Sequence, residues 1–210
     1  MAKRKGTAEI VAERFPSDIA NHVMTIGVDN GLCRHIRFER PDTNHLWFDL
    51  VTWHGCLCIS GDMGCYVFSR LLDMFAFFRG VEKPNLGYWG EKVVAEDRNS
   101  PVMEYLEEEF RDAVKEAISE AAEGQTDSYR KELEQTVEEA LIYVDATDQR
   151  SAISAMMGVV FKGHHPFQDF YERSCQDYAI HYVWCCHAIL WGIQQYDAAK
   201  AKTEEPALTA

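Results

Sequence analysis

The chain has 210 residues, 47% of them apolar and 12% aromatic, enough to fill a sizeable core, which excludes wholesale disorder. Its formal net charge of −13 excludes passive binding to DNA, RNA or anionic membranes, whose phosphates would repel it. That balance points instead to a basic partner, or to a protein site that normally holds nucleic acid.

The start, MAKRKGTAEI, has a basic cluster with no apolar run behind it, so no signal peptide is expected. Cys33, Cys56, Cys58, Cys65, Cys175, Cys185 and Cys186 mostly sit among apolar neighbours. They read as reduced thiols in a cytosol, used as small hydrophobes. The most apolar window, Tyr178 to Ile193, is shorter than the ~20 residues that a bilayer needs and reads as a buried helix.

In chain order, Ala2 to Gly6 reads as a frayed tail. Ala8 to Phe15 has helical spacing, stopped by Pro16. Met24–Val28 and Leu32–Arg40 flank Asp29-Asn30-Gly31, a hairpin turn signal because Asn and Gly accept positive φ. Leu46 to Trp53 is the next strand. Leu46, Phe48 and Leu50 share one face; Trp47, Asp49, Val51 and Trp53 share the other. Large apolar groups on both faces predict a central strand covered on both sides. His54-Gly55 and Gly61 to Gly64 then turn the chain through strands Cys56–Ser60 and Cys65–Ser69. Turns this short make sequential strands antiparallel neighbours, so the product is a meander.

Ser69 is a candidate cap for a helix Arg70–Arg79 ended by Gly80. Glu82 to Gly90 reads as a connector, and Glu91 to Ala95 is open between helix and strand. From Pro101 the period is helical: Met103, Leu106, Phe110, Val114, Ala117 and Ala121 form one face. Gly124 breaks it, and Tyr129 to Val144 repeats it, which predicts an antiparallel helical hairpin. Thr147 or Asp148 caps a helix Ala152–Phe161. A last helix is expected from Pro166 to about Ala198, with a loose tail from Lys200. The fold class is therefore α+β: an N-terminal antiparallel β-meander packed against helices, and a helical C-terminal half. The division falls at 1–98 and 99–210, within one compact unit.

The stretch RFERPDTNHLWFDLVTWHGCLCISGDMGCYVFSRLLDMFAFF resembles a family of uncharacterised proteins in tailed-phage and prophage genomes. The pattern is a Trp-Phe-Asp strand, a Thr-Trp turn, Ile-Ser-Gly-Asp-Met-Gly and Tyr-Val-Phe-Ser-Arg. Weaker matches are YWGEKVVAED, Tyr88 to Asp97, and Phe170 to Tyr196 with its WCCHAILWGIQQYD ending. The family pattern has Pro where this chain has His54. The resemblance implies a phage accessory protein in a bacterial cytoplasm. Such genes often encode small binders that blunt host defences, as anti-CRISPR inhibitors do. It supplies no activity and no catalytic residue.

Between Glu96 and Asp148 acids so outnumber bases that this segment holds nearly the whole net charge. Glu104, Glu108, Asp112, Glu116 and Glu120 are spaced four apart, which on a helix makes a row of carboxylates about 6 Å apart. Such a row can imitate a phosphate backbone before a basic nucleic-acid channel. The plainer account is the wet face of an amphipathic helix.

The Gly61-Asp62-Met63-Gly64 turn lacks P-loop offsets and reads as a hairpin turn. His54, Cys56 and Cys58 share a strand face, with Cys65 on the facing strand, but without the spacing of a structural zinc site. His181 and Cys185, one helical turn apart, read as core packing. Trp47, Asp49, Trp53, Arg37 and Asp62 form a candidate ligand site for a nucleotide signal, with Arg34, Arg40 and Arg70 nearby. Pairing of those arginines with surplus acids is the plainer account. No nucleophile–base pair stands out.

The expectation is a non-enzymatic protein with no cofactor and no resident metal. Its partner is a host protein with a basic nucleic-acid-binding site, contacted through Glu104, Glu108, Asp112, Glu116 and Glu120. No direct nucleic-acid or membrane contact is expected, and a homodimer is compatible with the sequence. The alternatives are a nucleotide-sequestering module and a metal-dependent enzyme.

Overall fold

A computed structural model describes residues 5–204. The architecture is α+β, and the chain divides into two compact units. One comprises residues up to Val102 together with Tyr178 onward; the other is Met103–Asp177. The C-terminal helix thus belongs with the sheet, a division unlike the 98/99 boundary that composition suggests. Calls on residues 1–4 and 205–210 lie outside the described residues.

The first unit is a six-stranded antiparallel meander in sequential order: β1 (Val23–Asn30), β2 (Cys33–Arg40), β3 (Thr43–Trp53), β4 (Cys56–Gly61), β5 (Gly64–Ser69) and β6 (Val93–Ala95). The hairpins close where Gly31, Gly55 and Gly64 take positive φ. The undecided stretch Glu91–Ala95 supplies the edge strand β6, paired with β5.

One face of the sheet is the core. Ile36, Phe38, Phe48, Leu50, Leu57, Ile59, Tyr66 and Phe68 point into it and are buried. It is covered by α1 (Thr7–Asp18) and α7 (Ile180–Glu204), which contribute Phe15, Trp184 and Ile189. The opposite face is not covered as β3's two apolar sides suggest. Trp47, Asp49 and Val51 are half-buried and Trp53 is 41% exposed.

Gly61 explains how β3 and β4 approach. A Cβ there would lie 2.2 Å from the Trp47 carbonyl oxygen and 2.7 Å from Phe48 Cα. Both are backbone atoms, so relief requires the strands to part. Gly61→Ala is expected to cost about 3 kcal/mol, the upper range for overpacking, read as a lowered urea midpoint. An unchanged midpoint contradicts this reading of the strand contact.

Several local expectations are corrected. Helix α1 continues through Pro16 to Asp18. The helix after the meander is only Met74–Phe78 (α2), capped by Asp73 rather than Ser69. Its cap accepts the Phe75 N–H at 3.0 Å, a bond that Ser69 is too far back to make. The connector holds α3 (Leu86–Gly90), capped by Asn85. The terminal helix starts at Ile180, not Pro166, and continues past Lys200 to Glu204.

The second unit begins with β7 (Met103–Tyr105), which pairs with β8 (Gln176–Tyr178) in a two-stranded ribbon. Between them lie α4 (Glu107–Ala121), α5 (Asp127–Leu141) and α6 (Gln149–Met157), then a 3-10 turn at Phe170–Glu172. Phe110, Leu133, Val137, Ala152, Met156 and Phe170 form its own core. Asp148 caps α6 by accepting the Ser151 N–H at 3.1 Å. Phe167 is buried in this unit rather than lining the terminal helix.

Candidate functional site

Residues 103–177 carry eighteen Asp and Glu against seven Lys and Arg, so −11 of the chain's −13 resides in this unit. Its electrostatics are organised by α4. Leu106 is extended and stands as the N-cap, followed by Glu107, Glu108 and Glu109 in the first turn, where the helix dipole favours negative charge. Phe110, Ala113, Val114, Ala117 and Ile118 recur at three and four and are buried. That fixes the opposite side as the wet one.

The predicted row is shortened at its first member. Glu104 lies on β7 and is half-buried, because the helix starts only after Leu106. Glu108, Asp112, Glu116 and Glu120 are exposed along α4. They are partly matched by cations: Lys115 Nζ is 2.7 Å from Asp112, and Arg173 is 3.6 Å from Glu116 and also pairs with Glu120. Arg173 arrives from 53 residues beyond Glu120, so no local pattern revealed it. Exposed pairs of this kind contribute roughly 0–1 kcal/mol each and leave the strong negative balance of the unit in place.

Beside this face, α4 and α5 leave an open groove of about 700 Å³. Phe110, Val114, Ile118, Val137 and Leu141 line it, with Arg111, Lys115 and Arg130 among its polar residues. Ile142, also in its lining, is 66% exposed, and the adjacent Tyr143 is 95% exposed. Both apolar stripes were legible in the sequence; that they close incompletely was not.

The second set of candidates lies on the outer face of the sheet. Arg37 pairs across the strands with Asp49. Its guanidinium stacks over the Trp47 ring at 4.1 Å and bonds Glu39 at 2.8 Å and Asp49 at 3.2 Å. The Glu39 hydrogen bond raises the Arg37 pKa and, with the nearby Asp49 charge, outweighs desolvation. The structure therefore joins Arg37, Trp47 and Asp49, but as a self-neutralised cluster. Trp53 is six residues along β3 from Trp47, roughly 20 Å away, too far for both to hold one nucleotide base. Asp62 serves the backbone: it accepts the Leu46 N–H at 2.8 Å, holding a leucine with φ +62°.

Arg34 is 8% exposed and bonds Asp73 at 2.9 and 3.3 Å, with its guanidinium 4.6 Å over the Phe75 ring. Arg40 donates to the Asp18 carbonyl at 2.7 Å. These arginines do not form a free basic patch. The Cys185 thiol donates to the Met63 carbonyl at 3.4 Å, and burial pushes its pKa well up, as suits packing. Among the described residues no group of three or more His, Cys, Asp or Glu is placed to hold a metal ion, the His54/Cys56/Cys58 set included.

Fold and surface together define an α+β protein in which a strongly acidic helical unit is inserted before the last helix of a meander. No protein-family model, curated protein or solved structure matches the chain. Among the described residues no helix is long and apolar enough to cross a membrane.

Proposed function

We propose that this is a non-enzymatic binding protein that docks a basic surface of a partner protein through the acidic unit, residues 103–177. In line with the phage-family resemblance, the partner is a host-defence component whose basic site normally holds nucleic acid. The single observation that carries this reading is the concentration of −11 charge in one compact unit, with Glu108, Asp112 and Glu116 exposed on one helix side. A field of one sign steers and holds a partner of the opposite sign. The neighbouring apolar groove and the exposed Ile142 and Tyr143 offer the desolvated area that carries most binding energy at protein interfaces.

The test compares immobilised wild type with the triple variant Glu108→Lys, Asp112→Lys, Glu116→Lys in capture of basic proteins from bacterial lysate. Juxtaposing like charges costs several kcal/mol, so capture is expected to fall about a hundredfold, with an unchanged circular dichroism spectrum. Wild-type capture should weaken with salt, since exposed charges are screened within about 8 Å at physiological ionic strength. Competing duplex DNA should displace the captured protein. Equal capture by the triple variant rules this surface out.

A further inference from the structure

Four of the seven cysteines, Cys33, Cys56, Cys58 and Cys65, are exposed or half-buried, whereas Cys175, Cys185 and Cys186 are buried. In the strand register, Cys58 faces Val67 and Ser60 faces Cys65, so Cys58 and Cys65 are diagonal neighbours on β4 and β5. Both project from the outer sheet face, on the side of Val51 and Asp49. Their sulfurs lie 3.8 Å apart, at van der Waals contact. Cys56 instead faces Ser69 and Trp53, and Cys33 faces Asn30, so neither has a thiol directly opposite.

We propose that Cys58 and Cys65 are an oxidisable dithiol that closes to a cross-strand disulfide on reaction with a two-electron oxidant such as hydrogen peroxide. A disulfide requires the sulfurs to come within about 2.05 Å, an approach of under about 2 Å. Diagonal strand neighbours lie roughly 7–8 Å apart at the backbone, so closure takes rotation of both side chains together with a small shift of the β4–β5 hairpin.

The order of events follows from exposure. Cys65 is the exposed thiol and meets the peroxide first. Its thiolate attacks one peroxide oxygen and breaks the O–O bond. That leaves a sulfenic acid on Cys65 and releases hydroxide, which takes up the thiol proton as water. Cys58 sulfur then attacks Cys65 sulfur; the S–O bond breaks, and the hydroxyl leaves as water with the Cys58 proton. Two thiols are oxidised by two electrons, and one peroxide becomes two waters. Burial, then the neighbouring Cys65, push the Cys58 thiol up to about 12, so little of it is thiolate and the first reaction with peroxide falls to Cys65.

The full chain is treated with hydrogen peroxide under native conditions, quenched with N-ethylmaleimide, digested with trypsin and analysed by mass spectrometry. Cys56, Cys58 and Cys65 all fall in one tryptic peptide, residues 38–70, since cleavage does not occur before Pro41. The expected product is that peptide two hydrogens lighter, with a single maleimide on Cys56, formed at least about tenfold faster than Cys33 is lost. The proposal is overturned if Cys58 and Cys65 both retain maleimide, if Cys65 goes on to sulfinic acid without a cross-link, or if Cys65 joins another chain. A second readout needs no oxidant. Phenylarsine oxide condenses with a close dithiol, forming two As–S bonds and releasing one water. It should protect these two cysteines from maleimide in the wild type and in Cys56→Ser, and leave Cys65 open to maleimide in Cys58→Ser. Failure to protect them in the wild type counts against the pairing.

Discussion

Trp184→Ala is expected to destabilise the sheet unit by about 4 kcal/mol, within the range for deleting a fully buried tryptophan. Trp184 is 0% exposed in the second turn of α7. Its ring stands edge-on to Phe15 at 5.4 Å and to Phe48 at 5.7 Å, so it joins α1, α7 and β3 at one point. Its Nε1–H donates to Asp18 at 3.1 Å, satisfying the indole's one polar group. Truncation leaves a cavity that three rigid elements cannot collapse to fill. Trp184→Phe keeps an aromatic ring and loses the donor, so a smaller loss of about 2 kcal/mol is expected. Urea unfolding followed by circular dichroism reads both. A loss below about 1 kcal/mol for the alanine variant contradicts the helix–sheet packing described.

The second large effect concerns charge. Asp73→Asn should cost about 3 kcal/mol, because it leaves the Arg34 guanidinium, 8% exposed, without its counter-ion. Asparagine keeps an acceptor for the Phe75 N–H, so the loss reports the ion pair rather than the helix cap. Arg34→Met in the same chain should recover most of the loss, since the side chain then lies against Phe75 and Tyr196 with no buried charge. A double variant no more stable than Asp73→Asn argues against this assignment.

The same pair sets a pH dependence. Burial by itself raises the Asp73 carboxyl, but the Arg34 hydrogen bond and the Phe75 N–H outweigh it, and the pKa is held below the ordinary 3.8. A depressed carboxylate contributes stability that is complete above its unfolded value and is lost as pH falls through the folded one. Asp29 is lowered likewise, first by its Lys200 hydrogen bond. Stability of the wild type should therefore fall as pH drops below about 4, and Asp73→Asn should show a shallower fall over that window. Parallel curves for the two proteins contradict this.

Much of the meander was readable because its signals are local. Asn30-Gly31, His54-Gly55 and the Gly61–Gly64 turn close hairpins from within a few residues, and strand alternation grouped Leu46, Phe48 and Leu50 on one face, without showing that this face alone is buried. The helical periods of α4 and α5 were equally plain. Boundaries were less so. Leu106 fits the apolar stripe of α4 yet serves as its extended cap, which removes Glu104 from the acidic row. Pro166 carries a helix-start signal, but Phe167 and Phe170 are drawn into the core of the helical unit, and the chain passes through a 3-10 turn and β8 before the helix starts at Ile180.

The amino-acid sequence by itself determined the α+β class, the meander order and the placing of most negative charge in one segment. Each follows from residue type and short spacing, which act within a turn or a strand. Only the tertiary structure decided which charges find counter-ions, which sheet face stays open and that the last helix returns to the sheet. Arg173 reaching Glu116 and Glu120, Arg34 reaching Asp73, and Cys58 meeting Cys65 are encounters between separate elements. Long-range packing sets those distances, and no local pattern encodes them.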